Sequence, residues 1–387
     1  MRRRRLRKIA IAFPTGVPHL ERALRGIKQY GQQRGWRFVM SPETHWLRLS
    51  QLRHWRGDGV ICWVNTQREA DSARELNLPI VNLSGAIADT GLPRVCVDYQ
   101  RIGTMAAEHL LARGFEELAY YGLRNVWYAQ MIGKGFQHAA AEANAPCSIF
   151  QAASSFAATR TLHQHQERLD RWLRTLNTPV GVMASHDERA RMITEACFEL
   201  GLRVPHDVAV VGMNNDDIVC EFCEPSLTSI SRNAELVGHE AAALLDRLLA
   251  GEPAPNHDLI IPPDGVIERA STDITVSSDP QIAAAIDYIR RHIAEPFTID
   301  EIVRELRVSR RWLQYRFQQQ MHCSPRDYIN KRRIQHARDL LIRHPQMRMS
   351  DVAQACGFRD VRRFREAFLR TTGHTPQDHR AGAASRS

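Results

Sequence analysis

Long apolar runs are missing from this sequence. No stretch reaches about 18 consecutive apolar residues, so no segment is suited to crossing a bilayer as a helix. Low-complexity tracts are missing too, and 43% hydrophobic with 25% charged residues is the composition of a globular chain. Cysteine is sparse and scattered, at 62, 96, 147, 197, 220, 223, 323 and 356. Only Cys220-Glu-Phe-Cys223 brings two together, with no second CxxC and no suitably spaced His pair. Neither a metal nor a cofactor is therefore expected, and the thiols suit a reducing cytoplasm. Catalytic signatures are lacking as well: there is no P-loop and no G-x-S-x-G. Ser185-His186-Asp187 holds the residue types of a triad, but adjacent side chains point apart and cannot bond in series. An enzyme is not expected. The start, Met1 to Lys8, has the charge of a secretory leader. The apolar run Ile9–Phe13 is shorter than the roughly 7–15 residues such a leader needs, and Pro14 ends it. It reads as a first strand with a basic lead-in.

What is present is unevenly placed. The 387 residues are too many for one ordinary core, so two or three domains are expected. The net charge is +9, and residues 280–387 hold 21 Lys and Arg against 11 Asp and Glu. The rest of the chain is close to neutral. One domain therefore has the charge to meet a polyanion, and the other does not.

The first 270 residues alternate short apolar runs with helical stretches. Strands are expected at Lys8–Phe13, Trp36–Met40, Gly59–Val64, Pro79–Leu83, Leu118–Gly122, Val180–Ala184 and Val208–Gly212. Helices are expected at His19–Arg34, Tyr99–Arg113, Arg160–Leu176, Glu188–Leu200 and Glu235–Ala250. Apolar strands separated by helices argue for parallel sheets covered on both faces. The span suffices for two α/β lobes, with ligand expected at the carboxyl ends of the strands. Residues 1–270 are read as this ligand-sensing body, the Ser/Thr-rich residues 271–281 as a linker, and 282–387 as an all-α domain.

That last part contains an internal repeat. Ile299–Val308 matches Met349–Phe358 at an offset of 50, and after one inserted residue Leu313 matches Phe364 and Phe317 matches Phe368. Thr298 with Glu301 forms a capping box. Ser324-Pro325-Arg-Asp327 and Thr375-Pro376-Gln-Asp378 each put a hydroxyl at the N-cap, proline next and an acid at the third position. A short helix, a tight turn and a second helix make a helix-turn-helix, and here there are two. The second helix of the first unit offers Arg310, Arg311, Gln314 and Tyr315 away from its apolar face. The second unit offers Arg359, Arg362, Arg363 and Arg365. Arginine can grip a guanine edge and glutamine an adenine edge, so double-stranded DNA is the expected partner. Residues 282–380 resemble the AraC/XylS DNA-binding domain in Ser309, Leu313, Arg316-Phe317, Ser324-Pro325, Ala337, Leu340-Leu341, Gly357-Phe358, Phe364, Phe368 and Gly373-His-Thr-Pro376. His322 departs from it, standing where glycine is usual.

In the body, polar and aromatic residues suited to a sugar fall on the expected cleft loops: His19, Trp63, Asp187, Arg189 and Asn214. Amides and carboxylates can bond hydroxyls while an aromatic covers the apolar ring face. Capping or simple surface polarity accounts for each of these residues singly just as well. Leu202 through Asn214, with Leu227-Thr-Ser-Ile-Ser231, Gly238 and Ala241, resembles the LacI/GalR-type sugar-binding domain. The fold implied is a two-lobed, periplasmic-binding-protein-like α/β domain followed by the helical domain. The function implied is a sugar-gated, sequence-specific regulator, an activator of genes for using xylose or a related pentose. A homodimer, RNA polymerase as partner and a cytoplasmic location come with the resemblance. The alternative is a DNA-binding regulator that answers to another ligand or to none, its body serving for dimerisation. The pocket departs from the family at Asn214, where the pattern has aspartate, and at Ile132, where it has arginine.

Overall fold

All seven expected strands form in the structure, a computed structural model described for residues 6–41, 46–154, 162–274, 279–321, 323–344 and 346–384. The lead-in at 1–5, the first two residues of the helix expected from 160, linker positions 275–278 and His322 lie outside the described residues. By contact the chain divides into two units, Met1–Asp273 and Ile274–Ser387.

The first unit is built as two α/β lobes. The amino-terminal lobe begins β1 (Lys8–Ala12), α1 (Pro18–Arg34), β2 (Arg37–Val39), β3 (Gly59–Cys62), α2 (Gln67–Arg74), β4 (Ile80–Asn82) and β5 (Val95–Val97). Four of these strands make a parallel sheet in the order β2-β1-β3-β4, with Ile9 opposite Gly59. The chain then builds the second lobe from α3 (Tyr99–Leu111), β6 (Glu117–Leu123), α4 (Trp127–Glu142), β7 (Cys147–Ala152) and α5 (Leu162–Leu173). It continues through β8 (Val180–Ala184), α6 (Asp187–Glu199), β9 (Val208–Met213), α7 (Asp217–Phe222) and β10 (Thr228–Ser231). Helix α8 (Ala234–Leu249) returns to pack on α1 and β3, and β11 (Leu259–Ile261) pairs with β5. Strand β12 (Gly265–Ile267) closes the second sheet, whose order is β12-β10-β9-β8-β6-β7. The chain therefore passes between lobes three times, after β5, β10 and β11. Strands β1, β3, β8 and β9 are almost wholly buried, as strands covered by helices on both faces must be.

The five strands that apolar runs did not announce are β5, β7, β10, β11 and β12. Three of them are only three residues long, too short for a period to register. Helix α4 escapes the sequence reading because Gly133 and Gly135 interrupt it. The second of these glycines serves packing. A Cβ on Gly135 would overlap the Gln100 carbonyl, and one on Gly103 the Ile132 carbonyl, so α3 and α4 meet backbone to backbone. In the other lobe Gly26 lies against the Glu235 carbonyl and Gly238 against that of Ala23, which brings α1 and α8 equally close. Replacing Gly103 or Gly238 by valine is expected to cost about 3 kcal/mol, because the helices must part. Urea denaturation measures this, and a change within about 0.5 kcal/mol would contradict the close approach.

The polar segment read as linker from residue 271 joins the core before it leaves it. Ser271 and Thr272 are fully buried. The Ser271 hydroxyl donates to the Val210 carbonyl, and Thr272 Oγ1 lies 2.8 Å from Thr228 Oγ1 and 2.9 Å from His109 Nε2. Hydroxyl-rich composition suits solvent, but here the hydroxyls satisfy polar groups inside the lobe.

The second unit is helical throughout: α9 (Pro280–Arg291), α10 (Ile299–Glu305), α11 (Arg310–Met321), α12 (Pro325–Arg343), α13 (Met349–Ala355), α14 (Val361–Thr372) and α15 (Pro376–Ala384). The caps read from sequence are formed. Glu301 accepts from the Thr298 amide, and the amides of Trp312, Asp327 and Asp378 donate to Ser309, Ser324 and Thr375. Two cores follow the repeat. Ile282, Ile289, Ile302, Leu313 and Phe317 close one around Tyr328 and Ile329 at the start of α12. Val352, Phe358, Phe364 and Phe368 close the other around Ile334, Ala337 and Leu341 further along the same helix.

Candidate ligand cleft and nucleic-acid interface

Between the lobes of the first unit the strand ends and the crossings bring polar and aromatic side chains together. His19 on α1 lies edge-on to Trp63, the residue following β3, with ring centroids 6.2 Å apart. Trp63, Asn65, Trp127, Tyr128 and Gln130 help line a cavity of about 430 Å³, a volume in the range of small-molecule sites. Asn214 sits at the end of β9 in a left-handed conformation with φ of 107°, which asparagine tolerates better than most residues. Its carbonyl accepts from Arg22 on α1 at 2.8 Å, so one guanidinium ties the first lobe to the second. Arg232, on the crossing after β10, donates to the Tyr99 hydroxyl at 2.9 Å and lies over the Tyr99 ring.

His19 faces this cluster of cations. Burial, with Arg232, Arg22 and His186 nearby, holds the His19 ring well below the usual imidazole range. Burial and then Arg189 bring His186 down to about 3. Both rings are neutral at physiological pH. Arg22, Arg232, Tyr99 and Tyr128 were not singled out from sequence, and His186 was weighed only as part of a triad. Arginines on a helix and a crossing segment read as solvated charge, and only the fold joins positions some 200 residues apart.

Two residues expected to contact ligand have other partners. Asp187 begins α6 and is fully buried, its carboxylate accepting from the Ser229 hydroxyl at 2.6 Å and the Asp216 amide at 2.8 Å. Burial pushes its carboxyl up to about 7 against those two hydrogen bonds. Arg189, two residues onward, is buried. It donates to the Tyr121 hydroxyl at 3.0 Å and to the Ala153 carbonyl at 3.2 Å. Both side chains join elements within one lobe. A loop position read from sequence does not give the direction of the side chain. Ile132, where the resemblance has arginine, is likewise fully buried. Ser185 Oγ lies 3.1 Å from His186 Nδ1, but Asp187 bonds elsewhere and no triad forms.

The second unit presents its charge on the two repeated helices. Arg310, Arg311, Gln314 and Tyr315 are exposed on α11 while Leu313 and Phe317 are fully buried. Arg362, Arg363 and Arg365 are exposed on α14, with Arg359 on the turn before it, and Phe364 and Phe368 are buried. Arg310 pairs with Asp300 at 3.3 Å, Arg362 with Glu366 at 2.9 Å and Arg363 with Asp360 at 3.5 Å. Arg311, Arg359 and Arg365 have no ion pair among the described residues, which leaves three cations for an external anion. Arg316 instead donates twice to Asp279, the N-cap of α9, and holds α11 against it. Helix α12 is 19 residues long, about 28 Å. Arg333 at its middle donates to the carbonyls of Ile293 and Glu295 and lies over Phe297 of the first core and Phe358 of the second. It fixes the two helix-turn-helix units to one another.

Comparison with known proteins agrees with this division. Residues 107–272 match a periplasmic binding protein-like domain and residues 302–382 a helix-turn-helix domain. The chain is 28% identical over 382 residues to the xylose operon regulatory protein of Escherichia coli K12, covering 96% of each. The corresponding protein of Haemophilus influenzae is 26% identical over 384 residues. Among solved structures, that of a xylose-binding transcription activator superposes with a TM-score of 0.70 at 26% identity, over 98% of both chains.

Proposed function

We propose that this DNA-binding transcription regulator, built on the plan of the xylose operon regulatory proteins and not an enzyme, is gated by a sugar bound between the lobes of its first unit. The observation that carries the reading is the cleft itself. Two lobes joined by three crossings, with aromatic faces and polar groups at the strand ends, form a hinged receptor. The names of its relatives make xylose and other pentoses the first compounds to test. Arg310, Arg311, Gln314 and Tyr315 of one head, with Arg359, Arg362, Arg363 and Arg365 of the other, meet base edges and phosphates in successive major grooves. Ligand closes the lobes, and closure in a cytoplasmic homodimer sets the spacing of two such heads on direct-repeat sites. There the regulator engages RNA polymerase as an activator. His19, Trp63 and Asn214 contact ligand, while Asp187 and Arg189 hold the framework behind them.

Selection of binding sites from random duplex DNA by the full chain tests this reading. A recovered pair of half-sites whose occupancy changes with a sugar is the expected result. Half-sites recovered with no response to any small molecule would favour a body that serves dimerisation alone.

A further inference from the structure

His19 leaves one question open in the cleft. Its Nε2 is enclosed and has no hydrogen-bond partner, a state that a bound group would relieve. Beside it stands Arg232, whose contacts are the hydroxyl of Tyr99 and, at 3.4 Å, the side-chain oxygen of Asn214, both neutral. No carboxylate pairs with Arg232 among the described residues. Arg22, from the opposite lobe, is by contrast already engaged, donating to the Asn214 and Asn215 carbonyls and pairing with Asp217 at 3.4 Å.

Of the carboxylates nearby, Asp217 pairs with Arg22 at 3.4 Å and Glu188 lies 3.8 Å from His186 Nε2. Asp187 accepts from Ser229 and from the Asp216 amide, and Glu69 accepts from the amides of Asn65 and Thr66. A neutral sugar offers as many hydroxyl donors as acceptors and is best held by carboxylates and amides. This cleft is rich in donors and poor in free acceptors. Arg232 is half-buried and has no counter-charge, and an anionic ligand closing over it supplies the missing charge.

We infer that the effector is an anionic sugar, a monosaccharide derivative whose carboxylate or phosphate is held at His19 and Arg232 while its ring lies against Trp63 and Tyr128. The inference rests on the sugar-receptor reading and narrows it to one chemical class.

Thermal shift and calorimetry on the full chain test it in three arms: neutral pentoses and hexoses, the corresponding aldonic and uronic acids, and the corresponding sugar phosphates. A response in an anionic arm with none in the neutral arm is expected, and the arm that responds identifies the source of the charge. Arg232→Gln is expected to weaken that ligand by about 10-fold to 100-fold, with Arg232→Lys recovering part of the loss. Should Arg232→Gln disturb folding by circular dichroism, His19→Asn provides the second variant and is expected to weaken the same ligand. A neutral sugar that binds equally well to Arg232→Gln would overturn the charge assignment and leave the sugar receptor standing. Silence in all three arms would remove both.

Discussion

Acidification from about pH 7 to about pH 5.5 is expected to destabilise the first unit by several kcal/mol. Four histidines there are held neutral. Burial lowers His109 to about 3, His165 to about 4 and His186 to about 3, and it lowers His19 as well. Arg113 donates to His109 Nδ1, since a guanidinium can only donate, so Nε2–H of His109 donates to Thr272. A second proton would break that arrangement. His165 accepts at Nε2 from the Tyr121 hydroxyl and from Arg189, and the same holds there.

The folded pKa of each ring lies below the unfolded value of about 6.5. Its contribution is therefore complete above pH about 6.5 and is lost as pH falls toward the folded value. Each pH unit costs about 1.4 kcal/mol per histidine. Asp187 acts in the opposite sense: its carboxyl is raised to about 7, so the folded chain gains stability as pH falls through that value. Four histidines against one aspartate leave a net loss of about 3–4 kcal/mol near pH 5.5. Urea midpoints at the two pH values read this directly. His109→Gln should flatten the slope by about 1 kcal/mol per pH unit, and equal midpoints at both pH values would contradict the neutral, buried rings.

Loss of the exposed arginines Arg311 and Arg362 should act on DNA alone. Arg311→Ala and Arg362→Ala are each expected to weaken operator binding by about 5-fold to 150-fold if each side chain reads one base. They lie on helices that pack into separate cores, so the double variant should show close to the product of the two factors. Arg362 must release Glu366 before it reaches a base, which places its effect toward the lower end. Fluorescence anisotropy on operator and scrambled duplexes separates the roles. A loss confined to operator marks base reading, whereas an equal loss on both duplexes, with a shallower salt dependence, marks phosphate contact.

The two helical heads were legible because their signals are local. A repeat, a hydroxyl-proline-acid cap and an apolar spacing each occupy one short segment, and Leu313, Phe317, Phe364 and Phe368 fill the cores that the spacing implied. The ligand cleft was legible only as a location. Trp63, His19 and Asn214 border it, yet Asp187 and Arg189 turn into the lobe because Ser229, Asp216, Tyr121 and Ala153 wait there, contributed by strands and loops distant in sequence. Arg22 and Arg232 could not be singled out, since nothing near them in sequence distinguishes them from surface charge. The short crossing strands β5, β11 and β12 were missed for a related reason: each is defined by its neighbour or by the hinge, not by its own pattern.

Coupling between cleft and heads is the central claim, and operator affinity measured with and without saturating ligand tests it most directly. If ligand changes operator affinity by a given factor, operator must change ligand affinity by the same factor. Matching factors of about 5-fold or more in both titrations are the predicted result. A ligand that binds the cleft tightly while operator affinity and half-site spacing stay unchanged would contradict the account.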